Sequence, residues 1–286
     1  MPFLPHTQIE IVNPSFCRGR VRFALFDFDG TLSLVRQGWQ GVMVPMMVEI
    51  LATLDTGEPE PSLTRVVGEF VDRLTGKQTI YQMMELCRQI ELRGGTARDP
   101  LVYKHQYLDR LWQHIEGRVE GLKGGQIAPA DMVVPDAFAV LDNLRQRGIL
   151  CYLASGTDQP DVIDEARALG LEPYFEDRIF GALDEYKRFS KAQVIQNILD
   201  GTRLTAGQLL TFGDGFVEIE ETRKVGGIAV GVASDELHRR GVDEWKRERL
   251  IRAGADVIIP DFRKQDLLLD ELCSPTGRKT DALSDL

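Results

Sequence analysis

The chain has 286 residues, with 34 lysines and arginines against 44 aspartates and glutamates, and a formal charge of −10. A hydrophobic share of 43% excludes disorder over the whole chain, and the length suits one large core or a core with a smaller inserted domain. With no basic stripe to offset the acidic balance, duplex nucleic acid is excluded as a partner; a phosphorylated anion would need a local cation cluster or a metal.

No run approaches the ~20 consecutive apolar residues that span a bilayer, so no membrane association is expected. Residues 1–20 read as an N-terminal extension. Pro2, Pro5, Glu10 and Pro14 interrupt them, and the basic start and apolar centre of a signal peptide are missing, which predicts a cytoplasmic location. Val21 to Phe26 is a short apolar run that ends abruptly at Asp27 and an acidic, glycine-containing turn, the pattern of a buried strand opening onto a loop.

Residues 33–134 then depart from strand patterning. Leu63, Val66, Val67, Phe70, Val71 and Leu74 share one helical face, Ile80 to Ile90 begin a second apolar stripe, and Leu101 to Ile115 a third. Breakers at 57–61, 94–95 and 121–129 separate them, so the segment is expected to be an all-helical cap inserted after the first strand. Further strands are predicted at 149–154, 208–212, 227–232 and 256–260, alternating with helices at 135–147, 161–169, 190–199 and 217–225. That alternation predicts an α/β fold with a Rossmann-like parallel sheet, its core made of residues 21–32 and 135–272. Residues 273–286 read as a polar tail. Cys17, Cys87, Cys151 and Cys273 are widely separated without C-x-x-C spacing, which disfavours a disulfide framework and a thiolate zinc site. His6, His105, His114 and His238 show no paired metal spacing.

Ligands in such sheets bind beyond the carboxyl ends of the strands. Asp27 and Asp29 stand there one residue apart, so extended backbone sends both side chains to the same side. Their mutual repulsion calls for a cation, and a small set of oxygen ligands favours Mg²⁺ over zinc. Taken alone, a D-x-D could equally be a pair of solvated turn acids.

The surrounding letters decide between these. Asp-Phe-Asp-Gly-Thr at 27–31, Ser155 after Leu-Cys-Tyr-Leu-Ala, Lys191, and Gly213-Asp214-Gly215 followed by Glu218 together resemble, in order, the four motifs of the haloacid dehalogenase superfamily. The resemblance covers most of residues 21–262; the insertion resembles the family's helical C1 cap in position and size only. It implies that Asp27 is a nucleophile forming an aspartyl-phosphate and that Asp29 is the general acid and base. It also implies that Ser155, Gly156 and Lys191 hold the phosphoryl oxygens, and that Mg²⁺ is bound by Asp27, the backbone carbonyl of Asp29, Asp214 and Glu218. Glu218 stands where the family often has Asp, so its direct metal contact is open; it could act through water, pair with the lysine, or favour a helix N-terminus.

Lys187 is the alternate lysine. Ser190 and Gln193 have capping-box spacing around Lys191, placing that cation in a first helical turn, where a bound anion would compensate it. Thr157 and Asp158 are expected to cap the next helix and stand outside the predicted site. Arg36, Gln37, Trp39, Lys77, Thr79 and Gln82 are candidates to contact a leaving group. The expected activity is Mg²⁺-dependent hydrolysis of a small phosphorylated metabolite, a sugar phosphate or a phosphoglycolate-like compound. A phosphomutase using the same aspartyl-phosphate and a non-catalytic binding protein are the alternatives, and the oligomeric state is open.

Overall fold

In the computed structural model, residues 3–183, 190–202 and 206–274 are described. The strands are β1 (Glu10–Ile11), β2 (Phe23–Phe26), β3 (Leu150–Asp158), β4 (Ile179–Ala182), β5 (Leu209–Gly213), β6 (Ile228–Val232) and β7 (Val257–Ile259). They form one sheet in the order β1-β7-β6-β5-β2-β3-β4, parallel except for β1, which runs antiparallel to β7. Every residue of β2, β5, β6 and β7 is buried, as expected of strands covered on both faces.

The chain leaves β2 towards β3 on one side, whereas β5 leads to β6 on the other. The crevice between the carboxyl ends of β2 and β5 is therefore the topological switch point, where this architecture binds ligands. Phe26 pairs with Phe212 in register, and Asp27 donates its backbone N–H to the Phe212 carbonyl at 2.9 Å, which brings Asp27 level with the start of the Gly213–Gly215 turn. Below this edge the rings of Phe26 and Phe212 stack 4.7 Å apart, with Phe262 edge-on to Phe212 at 5.7 Å. Phe26 and Phe28 are fully buried, so Asp27 is held between two anchored residues.

Four helices occupy the segment after the first motif: α1 (Gln40–Ala52), α2 (Glu60–Leu74), α3 (Thr79–Leu92) and α4 (Pro100–Lys123). The remaining helices are α5 (Ala137–Gln146), α6 (Gln159–Ala168), α7 (Glu172–Phe175), α8 (Lys191–Thr202), α9 (Phe216–Lys224), α10 (Glu244–Ala253) and α11 (Gln265–Cys273). The insertion and the sheet share one apolar cluster. Ion pairs also fasten α4 to the sheet side: Lys104 meets Asp158 at 2.7 Å and Lys123 meets Asp164 at 2.8 Å.

Several elements differ from the sequence reading. Helix α1 was not anticipated, because Val42 to Val48 is apolar all round and contains Pro45, so no amphipathic period marks it; Met43, Met46 and Met47 are all buried. Helix α4 continues through Gly121 to Lys123, and the chain turns only where Gln126 and Ile127 donate to the Gly121 carbonyl. Strand β1 has only two residues, and β4, Ile-Phe-Gly-Ala, is broken by Gly181, so neither shows the unbroken apolar run that marks β2 and β7. Strand β3 runs on to Asp158 through a register shift after Ala154, four residues beyond the predicted end.

Candidate active site

Five charged residues from the predicted motifs meet at the carboxyl edge of the sheet. Asp27, 7% exposed, accepts the Phe28 N–H at 2.8 Å on Oδ1 and faces Lys191 Nζ at 2.8 Å with Oδ2. Lys191 opens α8, whose first turn is capped by Ser190 Oγ accepting from the Gln193 N–H at 3.1 Å. The same ammonium donates to Glu218 Oε2 at 2.8 Å, while Glu218 Oε1 accepts the Gly215 N–H at 2.7 Å. Glu218 thus closes the first turn of α9 and anchors the lysine at the same time. Lys187 lies outside the described residues.

Asp214, at the end of β5, pairs through Oδ2 with Lys246 Nζ at 2.9 Å, and Lys246 also reaches Glu236 at 2.7 Å. Ser234 ties this group to the first motif by donating to the Gly30 carbonyl at 2.7 Å. Gly30 has φ +74°, and a Cβ there would collide with the Asp214 carboxylate, so the turn after Asp29 needs glycine for its backbone angle and for this approach.

Asp29 points to the other side of the crevice. Thr157 Oγ1 donates to its Oδ2 at 2.7 Å and Ser155 Oγ at 3.4 Å, while Oδ1 is buried with no partner among the described residues. The Ser155 hydroxyl also accepts the Thr157 N–H at 3.0 Å. Thr157 therefore belongs to the site and not to a helix cap: the bulge in β3 carries it past the expected strand end and up to Asp29. Asp158 likewise makes no side-chain cap bond and pairs with Lys104 instead.

The carboxylates face a cavity of about 110 Å³, room for several waters or a small leaving group. The helical insertion contributes to its lining all six leaving-group candidates, Arg36, Gln37, Trp39, Lys77, Thr79 and Gln82, together with Tyr107 of α4. Arg36 is bound on Nε and Nη2 by Glu165 at 2.9 and 2.6 Å and by Asp161 at 3.2 Å, which locks it to α6. The loop before α3 wedges between two core turns: Gly76, at φ +93°, packs on Gly215, and the Lys77 carbonyl packs on Gly156. From α10, the Arg249 guanidinium reaches the carbonyls of Asp72, Arg73 and Thr75 and so seals the carboxyl end of α2 to the sheet domain.

Burial raises the pKa of Asp27 well above the usual carboxylate range, with Glu218 and Asp214 adding to the rise and Lys191 opposing it. Asp29 is raised for the same reason, opposed by Arg36 and the Thr157 hydrogen bond. Lys191 is raised because the fields of Asp27 and Glu218 outweigh its own burial. Glu165 is pushed up to about 7 by burial despite its contact with Arg36.

Asp27, Asp214 and Glu218 each offer a carboxylate oxygen within 4.8 Å of the others. Both oxygens of Glu218 are already hydrogen-bonded, whereas the Asp29 carbonyl accepts no hydrogen bond among the described residues. An all-oxygen set around excess negative charge fits a hard divalent cation such as Mg²⁺. Sequence reasoning missed Thr157, Glu236 and Lys246. Lys246 sits in Glu-Trp-Lys-Arg-Glu-Arg, where nothing distinguishes it from its solvent-facing neighbours.

A family model for haloacid dehalogenase-like hydrolases matches residues 21–226, and the chain belongs to that family. No curated protein matches it. Among solved structures, it is similar to one described as a predicted phosphoglycolate phosphatase from Haemophilus somnus, at 16% identity over 87% of this chain and 98% of that one, with a TM-score of 0.56. It is also similar to a haloacid dehalogenase-like family protein of Streptococcus pneumoniae, at 17% identity over 87% and 97% and a TM-score of 0.56. A third is a family hydrolase from Deinococcus radiodurans with bound phosphate and sodium, at 15% identity over 91% and 100% and a TM-score of 0.53. At these identities the likeness establishes the fold. Among the described residues, no helix is long and apolar enough to cross a membrane.

Proposed function

We propose that the protein is a Mg²⁺-dependent phosphatase that hydrolyses a small phosphate monoester through an aspartyl-phosphate on Asp27. The reading rests on one observation above the others. Two carboxylates two residues apart open onto one cavity in different surroundings, Asp27 against the Lys191 ammonium and Asp29 against two hydroxyls, with one oxygen free of partners among the described residues. Such a division of environments suits a nucleophile beside an acid and base.

An Asp27 oxygen attacks phosphorus, the bond from phosphorus to the leaving oxygen breaks, and Asp29 gives its proton to that oxygen. Water then attacks the aspartyl-phosphate and passes a proton to Asp29, which releases inorganic phosphate and restores the Asp27 carboxylate. Lys191 offsets charge on the phosphoryl oxygens, and Ser155 with the Gly156 backbone completes their cradle. A bound Mg²⁺, held by Asp27, Asp214 and the Asp29 carbonyl, would supply charge neutralisation and orientation of the phosphoryl group. Glu218 is assigned to positioning Lys191, because its Oε2 accepts from that ammonium while its Oε1 is held in the first turn of α9 by the Gly215 N–H. Residues 33–134 act as a cap over the core of residues 21–32 and 135–272, which favours small substrates.

The test is a panel of small phosphate esters with Mg²⁺, read by inorganic phosphate and by product analysis. Phosphate release that stops with EDTA is expected. Conversion of a sugar phosphate to its isomer without phosphate release would assign a mutase, and binding without turnover would assign a non-catalytic role.

A further inference from the structure

The part of the cavity lining that the helical insertion supplies carries a buried polar atom without a partner among the described residues. Gln82, on α3, is 3% exposed and lines the cavity, and its Oε1 has no hydrogen-bond partner among the described residues. A buried carbonyl oxygen left in that state costs about 1–3 kcal/mol, which a ligand donor would recover. Tyr107, 3% exposed, lines the same cavity.

The cations of the cavity narrow the chemistry of that ligand. Lys191 is matched by Asp27 and Glu218, and Arg36 by Glu165 and Asp161. Lys77 is exposed, its ammonium about 6 Å from the ring centroids of Tyr81 and Phe216. Among the described residues the buried cations of the cavity are therefore committed, and the other cation in its lining, Lys77, is exposed; a carboxylate on the leaving group buried beside Asp29 would have no buried counter-charge free to meet it, an arrangement that costs several kcal/mol. A hydroxyl meets no such penalty and supplies the proton that Gln82 Oε1 lacks.

Resting on the phosphatase reading above, we propose that Gln82 is a specificity-determining residue that accepts a hydrogen bond from a neutral hydroxyl of the leaving group. The substrates are then phosphate monoesters of small polyols or sugars, and esters of hydroxy acids such as phosphoglycolate are rejected.

The test uses 2-hydroxyethyl phosphate and 2-phosphoglycolate, which differ by CH₂OH against carboxylate, with acetyl phosphate as a probe of the catalytic centre alone. The parent protein should favour the hydroxyethyl ester by at least about tenfold in kcat/KM. Gln82→Leu should lower kcat/KM for that ester by roughly 10- to 100-fold while leaving 2-phosphoglycolate and acetyl phosphate within about threefold. Gln82→Asn keeps a neutral amide acceptor, one methylene further back, and should recover part of the hydroxyethyl ester rate lost in Gln82→Leu, which covers the case of a Leu variant that misfolds. Hydrolysis of acetyl phosphate without the tenfold preference in the parent, or equal loss of both esters in Gln82→Leu with acetyl phosphate unchanged, overturns the assignment. Absence of Mg²⁺-dependent release from all three compounds by the parent rejects the phosphatase reading itself.

Discussion

Replacing Glu218 by Gln separates two roles that its position allows. The amide keeps the side-chain length, and its oxygen can still accept the Gly215 N–H, a contact of 2.7 Å in the parent. What it removes is the negative partner of Lys191, a charge-assisted contact of 2.8 Å between groups 5% and 1% exposed. Losing the charge from such a buried bond is worth about 1.5–3 kcal/mol. Lys191 would then lean fully on Asp27, its other partner at 2.8 Å, and hold the nucleophile back. If that energy appears in the transition state, kcat falls roughly 10- to 150-fold. The assay is phosphate release at saturating substrate across a Mg²⁺ titration. A lowered kcat with the Mg²⁺ midpoint within about threefold is expected of a residue that acts through the lysine. A Mg²⁺ midpoint raised by more than tenfold, with kcat restored at saturating metal, would make Glu218 a metal ligand and refute the reasoning.

Gly76→Ala places a Cβ 3.2 Å from the Gly215 Cα and 3.4 Å from the Phe216 nitrogen, at a φ of +93°. Backbone on the facing side cannot rotate away, so a loss of about 1–2 kcal/mol is expected, seen as a drop of roughly 2–8 °C in melting temperature with a lower kcat/KM; unchanged melting and turnover would contradict the tight seam between loop and core. Glu165, pushed up to about 7, binds its proton more tightly in the folded than in the unfolded chain. Stability is therefore lost at this site as pH rises from the ordinary carboxylate range through about 7, by about 1–3 kcal/mol. Melting of Glu165→Gln against the parent should favour the variant more at pH 8 than at pH 5, and the opposite trend would show that Arg36 outweighs burial.

How far the sequence exposed the site depended on whether a residue's role was local. Asp27 could be placed because a fully apolar strand ends on it, and Lys191 could be preferred over Lys187 because the Ser190 to Gln193 spacing described a real cap. Asp214 followed from a second strand reaching an acidic glycine turn, and Glu218 from the resemblance of residues 213–218 to the family's fourth motif; the structure sets β5 in parallel register with β2. Thr157 was hidden by a β-bulge, which moves a side chain without altering the apolar pattern around it. The pairing of Arg36 with Glu165 spans 129 positions, so only folding reveals that this cavity-lining cation is already spent. The inserted helices were legible wherever one face was polar. Helix α1, apolar on every side with its methionines buried, gave no period to read.

The central claim is covalent, and trapping tests it directly. The protein is mixed with Mg²⁺ and acetyl phosphate, quenched in acid and digested, and the peptides are weighed. One phosphoryl group on the peptide carrying Asp27, sensitive to hydroxylamine as an acyl phosphate is, and absent from Asp27→Asn, is the expected result. Phosphate release by Asp27→Asn at the parent rate, or a phosphoryl group trapped on another residue, would contradict the account.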